Sequence, residues 1–383
     1  DKWQSLRRAV SERKIEEVAE EAAYTWFNRL VAIRIMVKNG LASPVLEYES
    51  DDILIPILVS EARQGRIPQM DDDSMRKLTA LLDDDSKTNE QFALLIVAYC
   101  HTNPVINNCF GHISDYTELL LPANILTEGG FVHMLNNTEF ISEDDFKSPE
   151  LIGWLYQFYI SEKKDDVFAS FKKGKKAEAK DIPAATQLFT PRWIVEYMVQ
   201  NTVGKLWLQN RPNSSLREYM PYYIESPSAT NDDYLRINSP EEITLLDQAC
   251  GSGHILVYGF ELLTKIYEEE GYNPSDIPQL IIEKNLYGFE IDERAAQLAS
   301  MALMMKARNY QRRVFRKSIE PNIFCFQDLT LTEEEIKATF HPMEAKLSKT
   351  LLSDLLTMQQ ATNYGSLIIP ETSLNELEVA LIE

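Results

Sequence analysis

The chain is poor in the residues that build disulfide frameworks and metal sites. Its four cysteines, Cys100, Cys109, Cys250 and Cys325, are scattered over 383 residues, and only five histidines accompany them. No zinc-like spacing and no H-x-x-H pair occurs, so no metal is expected. His101 and His112 lie near the first two cysteines, but their spacing suits core or surface roles better than a metal. Long apolar runs are also missing. Nothing approaches the roughly 20 apolar residues of a membrane-spanning helix, and the N-terminus is charged rather than signal-like. A cytoplasmic protein with no membrane partner is expected. Positive charge is scarce too: 38 Lys and Arg stand against 59 Asp and Glu, a net charge of −21. That balance argues against strong DNA binding by these residues alone, because such binding neutralises phosphates. The acidic runs Asp71–Asp73 and Asp83–Asp85 lack calcium-loop spacing and read as helix starts or solvated loops. No internal repeat is found.

What is present is an ordinary globular composition, 44% hydrophobic and 25% charged, long enough for two or three domains. Residues 1–160 read as a mostly helical N-terminal domain. Lys14 to Gly40 carry apolar residues at helical spacing, with Tyr24, Trp26, Phe27, Leu30 and Ile33 expected in the core and Gly40 as the stop. Phe92 to Cys100 read as a buried helix. Trp154, Tyr156, Phe158 and Tyr159 are expected to pack a helix onto the next domain. Residues 161–181 form a Lys-rich linker, and its Lys172, Lys173, Lys175 and Lys176 read as solvated rather than as a DNA-touching loop. A second basic cluster is Arg308, Arg312, Arg313, Arg316 and Lys317. From residue 182 to 383 an alternation of strand, turn and helix predicts an α/β region with a parallel sheet and helices on both faces. A polar insertion runs from Asn213 to Glu242. Residues 331–383 read as helical, broken at Asn363-Tyr364-Gly365.

The richest segment is Leu245–Leu256, LLDQACGSGHIL. Ile243 to Leu246 read as a buried strand that empties into a glycine turn, and a helix opens at about His254. Gly251 and Gly253 let the backbone bend tightly and approach a ligand, and N–H groups at a new helix start can hold a carboxylate or phosphate. A second strand, Asn285 to Ile291, delivers Glu290 at its carboxyl end, where open α/β sheets bind ligands. Three cofactors compete. A dinucleotide fingerprint wants a third glycine where Leu256 stands and an acid nearer than Glu290; a P-loop wants Lys after Gly253, where His254 stands. S-adenosylmethionine fits D-x-x-x-G-S-G, with Asp247 accepting from its amino group and Glu290 from its ribose hydroxyls. A βα turn without ligand would share the glycines; the paired Glu290 argues against it.

Two further elements support a cofactor pocket. Phe189-Thr190-Pro191 precede an amphipathic helix, with Thr190 as N-cap and Pro191 at its first position; Phe189 and Thr190 would close over the methionine end. Asn322 to Phe326 read as a third strand leading to Asp328-Leu329, where an acid could accept from an adenine amine; taken in isolation, an exposed turn acid is the better reading of Asp328. The residues assigned to cofactor binding are Phe189, Thr190, Pro191, Asp247, Ala249, Gly251, Gly253, Glu290, Ile291, Asp328 and Leu329.

The order F-T-P, D-x-A-C-G-S-G, G-F-E-I-D and a third strand ending in Asp resembles the DNA methyltransferases that modify adenine N6. The strings Ala23–Leu30, Ala32–Arg34, Glu118–Pro122, Ile152–Lys164 and Ile182–Pro191 make the chain similar to the PglX family, the adenine-specific methyltransferases of BREX phage-defence systems. Gln248 departs from the D-P-A-C-G-S-G usual there. The resemblance implies a Rossmann-like class I methyltransferase sheet after a mostly helical N-terminal domain. It also implies S-adenosylmethionine as cofactor, double-stranded DNA as substrate and other BREX proteins as partners. The family's catalytic N/D/S-P-P-aromatic motif is absent from these residues, so no catalytic residue is assigned. The chain starts at Asp1 and stops at Glu383, which reads as the N-terminal part of a longer enzyme. A restriction–modification fusion of the same class and a cofactor-sensing, non-catalytic scaffold are the alternatives.

Overall fold

The computed structural model describes residues 2–50, 53–110, 116–137, 139, 141–147, 151–174, 185, 190–225, 234–311, 314, 319–326, 331–340 and 347–372. The chain divides into two compact units, one of residues 1–159 with 188–325 and the other of residues 160–187 with 326–383.

The N-terminal part of the first unit is built around the helix Ile15–Lys38. Leu30 to Met36 are buried without interruption, so this stretch is enclosed on all sides rather than lying on a core by one stripe. The charge within it is paired: Arg34 bonds Glu47. Tyr24, Trp26, Leu30 and Ile33 are in the core as expected, while Phe27 is half-buried. The helix ends as its glycine predicts, with Gly40 N–H donating to the Val37 carbonyl and Leu41 N–H to that of Met36, the paired bonds of a Schellman cap. Asp71 caps the helix Asp72–Leu81 through the amides of Asp73 and Ser74. Asp84 caps the short turn Asp85–Lys87. Phe92, Leu95 and Ile96 are buried in the helix Thr88–Thr102. A small antiparallel hairpin, β1 (Tyr48–Ser50) with β2 (Ile53–Pro56), was not anticipated.

The second half of this unit carries a three-stranded parallel sheet in the order β3 (Leu245–Asp247), β4 (Leu286–Glu290), β5 (Asn322–Cys325). Helix His254–Glu269 joins β3 to β4 and helix Glu293–Tyr310 joins β4 to β5. Both pack on the sheet and on each other, as crossovers of one hand between strands in sequential order require. The first strand lies slightly later than its apolar run suggests. Asp247 is inside it, opposite Gly288 of β4.

Two five-residue π-helical stretches, Gln200–Gly204 and Ile281–Asn285, each hold a buried amide side chain. Gln200 donates to the Tyr258 hydroxyl at 2.7 Å and accepts from Tyr222 N–H at 2.7 Å. Asn285 donates to the carbonyls of Pro240 and Ile243, at 2.8 and 2.6 Å, and accepts from the Tyr267 hydroxyl at 2.9 Å. Asn285 thereby ties the segment before β3 to the start of β4. Of the aromatic residues around 154–159, Tyr156 is buried, but Trp154 is 46% and Phe158 73% exposed.

In the second unit, Thr332 and Glu335 form a reciprocal capping box at the helix Glu333–Phe340. The Asp354 carboxylate in the helix Lys349–Met358 accepts from the Glu371 and Thr372 amides at 3.2 and 2.7 Å. Helix Leu151–Lys172 runs through much of the segment expected to be a linker. Residues 175–181 lie outside the described residues, as do Arg312, Arg313, Arg316 and Lys317.

Candidate functional site

Parallel pairing brings the ends of β3 and β4 to one edge of the sheet, so Asp247 and Glu290 arrive together. Residues 248–253 then turn the chain into the helix that opens at His254. Gly251 has φ +53° and Gly253 φ +87°, conformations that side chains rarely adopt. The two glycines differ in their surroundings. A Cβ on Gly253 would stand 3.0 Å from both Cα and Cβ of Ala299, whereas one on Gly251 would meet nothing within 4 Å. Gly253 thus lets helix Glu293–Tyr310 pack against the turn, and Gly251 leaves space beside it.

Amides of the turn are directed into the chain. Ala249 N–H donates to Asp247 Oδ1 at 3.2 Å and Cys250 N–H to the Phe289 carbonyl at 2.9 Å. Gly251 N–H donates to Glu290 Oε2 at 2.7 Å and Gly253 N–H to the Cys250 carbonyl at 2.8 Å. The sequence suggested donors open to a carboxylate or phosphate ligand at the start of this helix. In the turn before the helix, four amides are engaged internally, two of them by carboxylates. An anion cradle of the P-loop kind needs those amides pointing outward.

Glu290 is held on both oxygens. Oε1 accepts from the amides of Ile291 at 2.9 Å and Asp292 at 3.1 Å, and Oε2 accepts from Gly251. A carboxylate offers about four acceptor positions, so roughly one more donor fits. Ile291, next in sequence, is 53% exposed. Burial pushes the Asp247 carboxyl above its usual range; the Ala249 amide offsets this in part, and the charge of Glu290 adds to it. A cation beside Asp247 would relieve both costs. Burial, reinforced by Glu290 and Asp247, pushes the Cys250 thiol up to about 12. Burial, then Glu293, Asp292 and Glu290, takes Cys325 to about 11. Neither thiol is a nucleophile at neutral pH.

Thr190 and Pro191 line a cavity that also reaches His254, the first residue of the helix after the glycine turn. The structure corrects their capping roles. Pro191, with φ −54° and ψ 143°, is itself the extended residue before the helix Arg192–Val199, and no side chain caps that helix. Thr190 is therefore one position too early to cap. Together with Trp154, Gln157, His254 and Tyr258, these two residues line this cavity of about 420 Å³. His254 links this cavity to the glycine turn, its Nε2 lying 3.1 Å from Ser252 Oγ. Phe189, Asp328 and Leu329 lie outside the described residues.

The structure thus gathers Asp247, Ala249, Gly251, Gly253, Glu290 and Ile291 at one turn. Sequence reasoning missed Asp292 and Tyr156. Asp292 caps helix Glu293–Tyr310 by accepting from Arg294 N–H at 3.0 Å, and its other oxygen accepts the Tyr156 hydroxyl. An Asp just before a helical run was a readable cap signal; nothing local marked its distant tyrosine. Among the described residues no three His, Cys, Asp or Glu side chains converge as a metal site, and no helix is long and apolar enough to cross a membrane.

No known protein-family model matches the chain. Individual proteins do. The adenine-specific methyltransferase BrxX of Escherichia coli O9:H4 (strain HS) is 40% identical over 351 residues, which cover 88% of this chain and 28% of that protein. The adenine-specific methyltransferase PglX of Lacticaseibacillus casei (strain Zhang) is 35% identical over 386 residues, covering 94% of this chain and 31% of that protein. A Methanocaldococcus jannaschii protein named as a type II restriction enzyme and methyltransferase is 28% identical over 184 residues, 43% of this chain and 14% of that protein. The chain therefore spans less than a third of the length of these curated relatives.

Proposed function

Because this chain is a homologue of part of the adenine-specific methyltransferases BrxX and PglX, we propose that it is the cofactor-binding part of a BREX-type DNA methyltransferase. It takes S-adenosylmethionine as methyl donor and serves transfer to adenine N6 in double-stranded DNA, alongside other BREX proteins. The fold that goes with this reading is a Rossmann-like class I methyltransferase sheet, with residues 1–160 as a helical N-terminal domain and 182–383 as the cofactor part. The restriction–modification alternative is supported only by the partial match over 43% of the chain.

The observation that carries the proposal is the use of the turn amides by Asp247 and Glu290. Two carboxylates on the glycine turn oppose a phosphate-bearing cofactor. They suit one with an ammonium group, a sulfonium and a ribose diol. Asp247 accepts from the amino group, and the charge so acquired stabilises its ionised form. Glu290 accepts from a ribose hydroxyl at its remaining position, and Ile291 packs on the adenine face. Ala249, Gly251 and Gly253 shape the turn, Thr190 and Pro191 close the methionine end, and Phe189, Asp328 and Leu329, outside the described residues, are assigned to the cofactor by the resemblance alone. When bound, the cofactor supplies a methyl group already activated by the sulfonium. The residues on this turn hold and orient it, which is how proximity lowers such a barrier.

Calorimetry in the presence of EDTA tests the reading. S-adenosylhomocysteine should bind, and NAD and ATP should not. Binding of NAD or ATP without S-adenosylhomocysteine would overturn it.

A further inference from the structure

The segment that carries Glu290 is gripped from behind by side chains of the N-terminal helices. Tyr156 precedes Asp292 by 136 residues and donates its hydroxyl proton to Asp292 Oδ2. The Tyr156 residue is only 2% exposed, and its ring meets that of Tyr24 edge-on with centroids 6.0 Å apart. Arg294, two residues beyond Asp292, lies 4.0 Å over the Tyr24 ring and pairs with Glu20 at 3.4 Å. Asp292 therefore has two separable tasks. Oδ1 caps its helix through Arg294 N–H, and a cap needs only one oxygen. Oδ2 is taken by Tyr156. The backbone amide of the same Asp292 donates to Glu290 Oε1 at 3.1 Å.

We propose that Tyr156 is a positioning residue of the cofactor site. Acting through Asp292, it fixes the backbone of Glu290 and Ile291 and so couples the N-terminal helices to cofactor affinity. This rests on the cofactor reading given above. The bond is charge-assisted and its donor sits on a buried ring, so its direction is set before the carboxylate meets it. Without the hydroxyl, the segment from Glu290 to Asp292 gains conformations that a ligand must remove, and affinity falls by the fraction of binding-competent molecules lost.

The test is Tyr156→Phe in the full chain, which keeps the ring and removes one oxygen. Three quantities are read: hydrogen exchange at the Ile291 and Asp292 amides of the ligand-free protein, the calorimetric Kd for S-adenosylhomocysteine, and the melting temperature. Exchange at those amides should quicken, and Kd should rise about three- to tenfold, the size expected for one hydrogen bond. The melting temperature should change little. In a Glu290→Ala background, Tyr156→Phe should add nothing to the loss of affinity. Asp292→Asn, which keeps an oxygen for the helix cap, is the second variant and should weaken binding similarly. Unchanged exchange and unchanged Kd in folded variants, with wild-type binding intact, overturn the role of Tyr156 alone. A wild-type chain that binds no S-adenosylhomocysteine overturns the cofactor reading and this assignment with it, whatever the exchange shows.

Discussion

The amide of Gly251 donates to the Glu290 carboxylate at 2.7 Å, which makes the glycine turn after β3 and the acid ending β4 one hydrogen-bonded unit. Glu290 is consequently structural as well as a candidate ligand, since Ile291 and Asp292 also donate to it. Glu290→Ala should weaken S-adenosylhomocysteine binding about ten- to a hundredfold, from the loss of about 1.5–3 kcal/mol. It should also lower the melting temperature, because three amides lose their acceptor. Glu290→Gln retains an acceptor oxygen and should fall between. Calorimetry on protein shown to be folded by circular dichroism reads the outcome; an unchanged Kd in Glu290→Ala would mean that the ribose is held elsewhere.

The two turn glycines should respond differently to the same substitution. Gly253→Ala places a methyl group 3.0 Å from Ala299 backbone and side chain at a φ of +87°, so strain and overpacking together should cost about 2–4 kcal/mol. Gly251→Ala meets open space and should cost only about 1–2 kcal/mol for its left-handed backbone. Its methyl group enters the space where the cofactor is proposed to lie, so Gly251→Ala should lose more affinity than its stability loss explains. Urea unfolding and calorimetry on the same samples separate the two effects. A stable Gly251→Ala variant with normal affinity would place the cofactor away from this residue.

These contrasts show what the sequence makes readable. Gly251, Gly253 and Glu290 stand out because a tight turn and a strand-end acid are local demands, and the structure joins all three. Gly40 and Asp71 are legible for the same reason: each satisfies backbone groups within a few residues of itself. The hairpin of β1 and β2 is too short to show a period of two. The π-helical stretches at Gln200 and Asn285 depend on buried amides whose partners come from distant segments. Tyr156 is the extreme case. Its aromatic character predicts packing, but which polar group receives its hydroxyl is decided 136 residues away. The inward direction of four turn amides was not anticipated either, because the sequence pattern does not tell an inward N–H from an outward one.

Asp247 gives the site a pH dependence of defined sign. Its carboxyl lies above the usual carboxylate range, chiefly through burial, so the folded chain holds that proton more tightly than the unfolded one. The contribution of Asp247 to stability is therefore lost, not gained, as pH rises from the ordinary carboxylate value through the raised one. Cofactor binding should run the other way. Its amino group prefers the ionised carboxylate, so affinity should increase with pH over the same acidic window and then level off. Asp247→Asn should bind more weakly near neutral pH and lose that slope. Calorimetric Kd values from about pH 4 to 7 provide the check. A slope that survives in Asp247→Asn would assign the titration to another group.

Methyl transfer itself should need more than this turn supplies. The adenine amine is a poor nucleophile because its lone pair is delocalised into the ring, and the flipped base needs hydrogen-bond acceptors and a stacking face. No N/D/S-P-P-aromatic tetrapeptide occurs in these 383 residues to provide them. The thiols near the turn offer no substitute, since burial, with nearby carboxylates, pushes Cys250 up to about 12 and Cys325 up to about 11. Incubated with tritiated S-adenosylmethionine and DNA, these residues alone should give background transfer while still binding S-adenosylhomocysteine. A longer chain carrying such a motif should label adenine at defined sites, and Glu290→Ala within it should depress labelling in step with its loss of affinity. Site-specific labelling by the 383 residues alone would show that a loop within them performs the chemistry, and would move the catalytic centre onto this unit.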